Sequence, residues 1–68
     1  MNGVRHQAIR HALKMPKDVV AKLCGVSIWT IERFELDALA VKSPAKREAV
    51  VGVYARLGEL ARPLLEAA

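Results

Sequence analysis

Residues 17 to 35, KDVVAKLCGVSIWTIERFE, decide the fold of this chain, because their pattern predicts two short helices joined by a tight turn. Val20 and Cys24 are four residues apart and therefore share the apolar face of the first helix. Gly25 follows directly, and a glycine in this position adopts the left-handed conformation that ends a helix. Ser27 can accept a backbone hydrogen bond and so starts the next helix.

That next helix is predicted from Ser27 to Leu36, with Ile31 and Phe34 on its buried face. The remaining positions of its first two turns then point outward. Two of these outward side chains are large and apolar and two are charged: Ile28, Trp29, Glu32 and Arg33. An exposed tryptophan beside an isoleucine lowers solubility unless something covers it. Three covers are possible: its own domain near Lys17, a DNA surface or a protein partner.

The turn and the buried positions of this stretch match a known pattern. Ala21 is small enough for the two helices to cross closely, Gly25 supplies the positive φ of the turn, and Ile31 is buried. The run VSIWTIERFE, residues 26 to 35, is similar to Val-Ser-x-x-Thr-Ile-x-x-aromatic-Glu. On these residues the chain resembles the phage repressor and Cro type of helix-turn-helix DNA-binding proteins, the XRE type. An ordinary helical hairpin, which also carries a turn glycine, is the alternative.

The resemblance implies an all-α, compact five-helix domain like that of lambda repressor, with its helix-turn-helix core at residues 17–35. It also implies a sequence-specific regulator of transcription that binds double-stranded DNA, most simply a homodimeric repressor on a palindromic operator. In such a domain the third helix lies in the major groove, and the second crosses the DNA backbone with its N-terminus near a phosphate. An ion pair between Arg10 and Glu35 is implied as well; otherwise these are two unrelated solvated charges.

The outward side chains of the third helix suit base recognition. Arg33 can donate two hydrogen bonds to guanine, and Thr30 can bond a base or a phosphate. The apolar pair can cover thymine methyl groups, while Glu32 either accepts from a cytosine amino group or turns to solvent. Lysines beside the starts of the second and fourth helices either bind phosphate or form a solvated basic face. The expected DNA-binding residues are Lys17, Ser27, Ile28, Trp29, Thr30, Glu32, Arg33, Lys42 and Lys46.

Two other functions stay open. The same fold can serve as a protein-interaction module, with Ile28 and Trp29 as an apolar patch for another protein. It can also belong to an antitoxin-type autoregulator whose C-terminal part grips a toxin. An enzyme is not expected, because no Ser-His-Asp or Cys-His pattern, glycine-rich phosphate loop or pair of acids at catalytic spacing stands out, and no catalytic residue is assigned.

Length and composition also restrict the fold and the partners of this chain. Its 68 residues are enough for one domain, 1–68, with a thin core. Apolar residues make up 53% of it but aromatic ones only 4%, so the interior must be built from aliphatic side chains on helices. This apolar share exceeds what a small monomer hides and indicates a partner surface. The formal net charge of +4 fits a polyanion as partner.

The single cysteine, Cys24, excludes an internal disulfide and indicates a reducing compartment. No apolar run approaches the roughly 20 residues that span a bilayer, and the N-terminus has no signal-peptide core. The expected protein is therefore soluble and cytoplasmic, without a membrane partner. His6 and His11 point about 140° apart on a helix, so they are predicted to be surface histidines, and no metal or cofactor is expected.

The rest of the chain is assigned from its start and stop signals. A first amphipathic helix is predicted from Val4 to Lys14. Further along the chain, either the third helix runs one turn beyond Glu35, or Leu36 and Leu39 tuck under the domain in an irregular loop over residues 36–43, which is the preferred interpretation. Ser43 and Pro44 start helix four. Gly58 separates it from helix five, and Pro63 either kinks that helix or begins a final turn. These C-terminal helices, 44–67, are expected to form the dimer. The apolar residues left over for that interface are Val51, Leu60, Leu64 and Leu65.

Overall fold

The computed structural model describes the backbone of residues 2–67 and the side chains of residues 5–67. Over that range the fold is all-α, which confirms the predicted class. Its elements, in chain order, are α1 (Asn2–Ala12), α2 (Lys17–Cys24), α3 (Ile28–Leu36), a 3₁₀ turn (Ala38–Ala40) and α4 (Pro44–Ala67). The longest helix, α4, packs against each of the three others.

The short connections follow from their sequence. Gly25 adopts φ 72°, and the N–H of Val26 donates to the carbonyl of Ala21 at 3.0 Å, so the predicted glycine turn after α2 is confirmed. α1 ends earlier than predicted, at Ala12, because Lys14 takes a left-handed conformation with φ 55°. No side chain caps the N-terminus of α2, where Pro16 is the preceding residue.

The prediction of five helices is wrong. α4 is a single helix of 24 residues that continues through Gly58 and also contains Pro63. A Cβ added to Gly58 would lie 3.4 Å from Cδ1 of Ile9, so this glycine allows α1 to approach α4 closely rather than ending the helix. Glycine in a helix interior costs about 1 kcal/mol relative to alanine, which the packing of a long helix readily offsets.

The segment between α3 and α4 is ordered around Asp37. Its carboxylate accepts a hydrogen bond from the N–H of Leu39 at 3.0 Å and so fixes the 3₁₀ turn. Leu36 and Leu39 were expected to tuck under the domain, and this is wrong, since they are 84% and 69% exposed. Val41 is the residue of this segment that enters the core instead.

The core is aliphatic, as the composition predicts, with two aromatic rings at its centre. α4 contributes a buried stripe at helical spacing, which the other elements cover. The buried apolar residues are Ile9, Val20, Ala21, Ile31, Phe34, Val41, Val50, Tyr54, Leu57 and Ala61. Among the described residues, no helix combines the length and the apolar character that crossing a membrane requires.

Candidate nucleic-acid interface

The start of α3 is built as the sequence predicts. The hydroxyl of Ser27 accepts a hydrogen bond from the N–H of Thr30 at 3.3 Å, which confirms Ser27 as the N-terminal cap. The hydroxyl oxygens of Ser27 and Thr30 also lie 3.2 Å apart, so one side chain orients the other. The two predicted site residues therefore form one polar group at this helix end.

The outward face of α3 is more apolar than the sequence indicated. Trp29 is 68% exposed, so its own domain does not cover it, and Ile28 is exposed beside it. Leu36 follows Trp29 by seven residues and lies within about 20° of it around the helix axis, at 100° per residue. This face thus presents an apolar side chain at each end, with the charged Glu32 and Arg33 between them. The sequence analysis placed Leu36 under the domain, so it did not predict the apolar side chain at this end of the face.

Lys17 and Glu32 bind each other, although the sequence assigned each of them separately to DNA. The ammonium of Lys17 lies 3.1 Å from Oε2 of Glu32, and both side chains are more than a third exposed. Such a pair contributes about 0–1 kcal/mol to stability. It also offsets the positive charge of Lys17 at the N-terminus of α2, where a cation is unfavourable. Glu32 is therefore not simply turned to solvent.

A basic depression lies between α3 and the start of α4, with a volume of about 250 Å³. It brings together four of the predicted DNA-binding residues, and a valine and a serine complete its lining: Thr30, Arg33, Val41, Lys42, Ser43 and Lys46. In the part of the chain that the structure describes, none of its three cations lies within ion-pair distance of a carboxylate. Three uncompensated positive charges thus surround one concave surface.

The backbone of this depression is held by its own polar contacts. The N–H of Lys46 donates to the hydroxyl of Ser43 at 3.4 Å, at the predicted start of α4. Arg47 donates from Nε to the carbonyl of Val41 at 3.2 Å, so its guanidinium fixes the entering segment. Arg47 therefore has a structural partner for its side chain, whereas among the described residues the side chains of Lys42 and Lys46 have no hydrogen-bond or ion-pair partner.

The far end of α3 is anchored by the predicted pair of Arg10 and Glu35. Nε and Nη2 of Arg10 donate to the two carboxylate oxygens of Glu35 at 2.7 and 3.0 Å, and both side chains are buried. Arg10 also donates to the carbonyl of Met15 at 3.2 Å. The pair is confirmed, and the alternative of two solvated charges is excluded.

Tyr54 completes this network, and the sequence interpretation missed it. Its hydroxyl donates to Oε2 of Glu35, and its ring stacks on Phe34 with 5.5 Å between centroids. The signal was available, because a tyrosine on the buried stripe of a helix needs a hydrogen-bond partner for its hydroxyl. The partner itself is 19 residues away along the chain, so spacing alone did not identify it.

The pKa values of the three groups follow from these contacts. Burial acts to raise the pKa of Glu35, but the hydrogen bonds from Arg10 and Tyr54 outweigh it and hold this pKa below its usual value. The hydrogen bond to Glu35 raises the pKa of Arg10 against the opposing effect of burial. Burial, together with the hydrogen bond to Glu35, raises the pKa of Tyr54. The network is therefore an ionised pair with a neutral phenol.

The histidines and the cysteine form no ligand site. His6 was predicted to be a surface residue, and this is wrong: its ring packs 4.6 Å from that of Phe34 and 4.9 Å from that of Tyr54. His11 is exposed, as expected. Cys24 is half-buried, and burial raises the pKa of its thiol. Among the described residues no three histidine, cysteine or carboxylate side chains come close enough to hold a metal ion.

The four predicted dimer residues are all exposed, but they do not form one surface. At 100° per residue, Leu60 and Leu64 point about 40° apart, and so do Val51 and Leu65. The two pairs lie on opposite sides of the buried stripe of α4, with about 140° between them. Val51 and Leu65 line a groove of about 720 Å³ between α1 and α4, whereas the other pair lies outside it. The expectation of a single patch is therefore wrong.

Comparison with protein-family models, with curated proteins and with solved structures finds no match for this chain. Its function must accordingly be inferred from the residues themselves. The relevant features are the exposed face of α3, the basic depression beside it and the groove along α4.

Proposed function

We propose that this protein is a sequence-specific double-stranded DNA-binding regulator of transcription, of the phage repressor and Cro type, acting as a homodimeric repressor. The observation that carries the proposal is the basic depression at the edge of α3. There Arg33, Lys42 and Lys46 lie together without carboxylate partners beside a helix whose outward side chains suit base edges. Uncompensated cations next to an exposed helix are the electrostatic footprint of a duplex-binding surface.

The mechanism is occupancy of an operator. α3 enters the major groove, where Arg33 donates to O6 and N7 of guanine and the apolar side chains at its start cover thymine methyl groups. Lys42 and Lys46 bind phosphates of the flanking backbone and set the register of the helix in the groove. Thr30 and Ser27, at the N-terminus of α3, bond a base or a phosphate.

Lys17 has a smaller part in this proposal than Lys42 or Lys46. Its charge is already offset by Glu32, at 3.1 Å, so it attracts phosphate less strongly. The same ion pair makes the carboxylate of Glu32 less available to accept a hydrogen bond from a cytosine amino group. We expect the pair to orient the start of α2 against the DNA backbone rather than to read sequence.

Two copies are needed for useful specificity, because one recognition helix reads few base pairs. Half-sites of a palindromic operator lie about 34 Å apart, one helical turn of DNA, and each takes one α3. The C-terminal helix, with its exposed apolar side chains, supplies the contact between the copies. Regulation then needs no cofactor, since binding of the operator itself blocks transcription.

The rival function is a protein-interaction module, and the apolar face of α3 favours it. Trp29 and Leu36 of α3 are largely exposed, as is Leu39 of the 3₁₀ turn that follows, and a surface of this kind also suits a protein partner. An antitoxin-type autoregulator, which binds both its operator and a toxin, unites the two functions in one molecule. The two proposals differ in what covers Trp29.

Fluorescence of Trp29 separates them, because the chain contains a single tryptophan. A duplex is first selected from a random pool by repeated binding and then titrated into the protein. We expect quenching or a spectral shift, and we expect Trp29→Ala to lose affinity for this duplex at unchanged thermal stability. Leu23→Ala, at an exposed leucine of α2, is the matched control. An unaltered spectrum together with unaltered affinity of Trp29→Ala would reject the contact of Trp29 with DNA and favour a protein partner for this side chain, and failure to select any duplex would reject the DNA proposal.

A further inference from the structure

We infer that Arg47 is a positioning residue for DNA binding. It orders the segment that carries Lys42 and Lys46, and it thereby sets the affinity for duplex DNA without itself contacting a phosphate. This inference rests on the proposed function and deepens it, because it says how the basic depression is held ready for the DNA backbone.

The guanidinium of Arg47 reaches back from the first turn of α4 to the segment that precedes this helix. Its Nε donates to the carbonyl of Val41 at 3.2 Å. Val41 is buried, and among the described residues no backbone N–H donates to this carbonyl. A buried carbonyl without a partner is costly, so Arg47 supplies a hydrogen bond that the backbone does not provide.

This contact closes a ring of backbone that contains both lysines of the basic depression. Lys42 directly follows Val41, and Lys46 directly precedes Arg47. Inside the ring, the N–H of Lys46 donates to the hydroxyl of Ser43 at 3.4 Å, and the N–H of Arg47 donates to the carbonyl of Ser43 at 2.9 Å. Together with the bond to Val41, these contacts fix the path of the whole segment.

Arg47 lies outside the depression, although the residue that it holds lies inside it. Val41, Lys42 and Lys46 line the depression, whereas Arg47 does not. The side chain of Arg47 is half-buried, and those of the two lysines are exposed. The lysines can therefore reach a phosphate, while Nε of the arginine is engaged by the backbone.

Order in this segment raises affinity, because the lysines then need not be positioned when DNA binds. A site that is formed only part of the time in the free protein binds with an affinity reduced by that fraction. The bond from Arg47 to Val41 joins a charged donor to a carbonyl, and one such hydrogen bond changes an equilibrium by about tenfold. We therefore expect its loss to weaken binding of any duplex by about tenfold, with the same number of phosphate contacts.

Two substitutions separate the donor of Arg47 from its charge. In glutamine, Nε2 is joined to Cβ by as many bonds as Nε is in arginine, so Arg47→Gln keeps a donor at this position and removes the charge. In lysine a methylene group takes that position, so Arg47→Lys keeps the charge and loses the donor there. Arg47→Met lacks both. Arg56→Gln, at an exposed arginine of α4, is the control for removal of one charge.

Titration of each variant with random duplex at several salt concentrations tests the inference. We expect Arg47→Lys and Arg47→Met to bind about tenfold more weakly than the wild type with an unchanged salt slope, and Arg47→Gln to bind like Arg56→Gln. A direct phosphate contact predicts the opposite: Arg47→Gln would lose affinity and about 0.9 of the salt slope, and Arg47→Lys would keep both. This opposite result overturns the inference, and so does wild-type affinity in Arg47→Lys and Arg47→Met.

Hydrogen exchange of the free protein tests the step that does not involve DNA. The N–H of Val41 donates to the carbonyl of Ala38 at 3.2 Å, and that of Lys46 donates to Ser43. We expect both amides to exchange faster in Arg47→Lys and Arg47→Met than in the wild type and Arg47→Gln, while amides of the core helices keep their rates. Equal rates in all variants, or faster exchange throughout the chain, overturns the positioning role.

The two measurements distinguish failure of this inference from failure of the proposed function. A wild type that binds duplex with a steep salt slope, together with Arg47→Lys that binds equally well, refutes the role of Arg47 and leaves DNA binding intact. A wild type that binds no duplex overturns both, whatever the exchange rates are.

Discussion

At the scale of single residues, the carboxylate of Glu35 connects three helices. It lies on α3 and accepts two hydrogen bonds from the Arg10 guanidinium of α1 and one from the hydroxyl of Tyr54 of α4. A buried ion pair adds little net stability, because its attraction is offset by the loss of hydration of both charges. Removing one partner lowers stability strongly, because the remaining charge is left buried and unpaired. The network therefore fixes the position of α3 more than it adds net stability.

A double-mutant cycle tests this network. Arg10→Ala and Glu35→Ala should each lower the free energy of unfolding by about 3–5 kcal/mol, because each leaves a buried charge without its partner. The double variant should lose less than the sum of the two. Tyr54→Phe keeps the ring packing and loses one hydrogen bond to a charged group, about 1.5–3 kcal/mol. Denaturant unfolding measures all four values, and additive losses would show that Arg10 and Glu35 do not interact.

The pH dependence of stability follows from the lowered pKa of Glu35. The pKa of Glu35 is lower in the folded state than in the unfolded chain. The ionised carboxylate therefore stabilises the fold fully above the pKa of the unfolded chain, about 4.3, and this stabilisation is lost as the pH falls through the pKa of the folded state. We expect the difference in unfolding free energy between wild type and Glu35→Gln to narrow as the pH is lowered through the acid range. Urea unfolding at a series of pH values measures it. A difference that stays constant with pH would contradict the ionised pair.

At the scale of elements, local signals were reliable and long-range contacts were not. The glycine turn, the Ser27 cap and the start of α4 at Pro44 depend on neighbours within a few residues, and all were predicted correctly. Gly58 was misjudged because its role depends on Ile9, on another helix. The sequence shows a glycine but not the side chain that approaches it, so a helix break was the natural prediction there.

The basic residues divide by element into two roles. Arg33→Ala, on α3, should cost about 1–3 kcal/mol on the specific duplex and relax the preference at one base pair. Lys42→Ala, at the entrance to α4, should weaken all duplexes alike and reduce the salt slope by about one. Titrations with cognate and random duplex at several salt concentrations measure both. Equal weakening of the two duplexes by Arg33→Ala would remove it from the base-reading residues.

Lys17→Ala provides a comparison with Lys42→Ala. Both lysines were assigned to phosphate from the sequence, but over the described part of the chain Lys17 has a carboxylate partner, Glu32, and Lys42 has none. We therefore expect Lys17→Ala to reduce affinity for random duplex less than Lys42→Ala does, and Lys17→Ala combined with Glu32→Ala to change it little. The same salt titrations measure this order. A loss for Lys17→Ala as large as that for Lys42→Ala would show that Glu32 releases the lysine on binding DNA.

At the scale of the whole molecule, the groove along α4 and the basic depression beside α3 are separate surfaces. The basic depression and the groove along α4 share no lining residue. Composition predicted both a partner surface and a polyanion, but it could not say which apolar residues lie on which side of a helix. The all-α class was therefore predictable, whereas the division of the predicted dimer residues required the packing of α4 against α1.

The salt dependence of binding to random duplex tests the central claim most directly. If Arg33, Lys42 and Lys46 each displace counterions from one phosphate, log K should fall linearly with log salt, with a slope of about −2.7 for one copy and about −5 for a dimer. Lys42→Ala with Lys46→Ala should make this slope clearly shallower. Absence of binding at low salt, or a slope near zero, would contradict the account of this protein as a DNA-binding regulator.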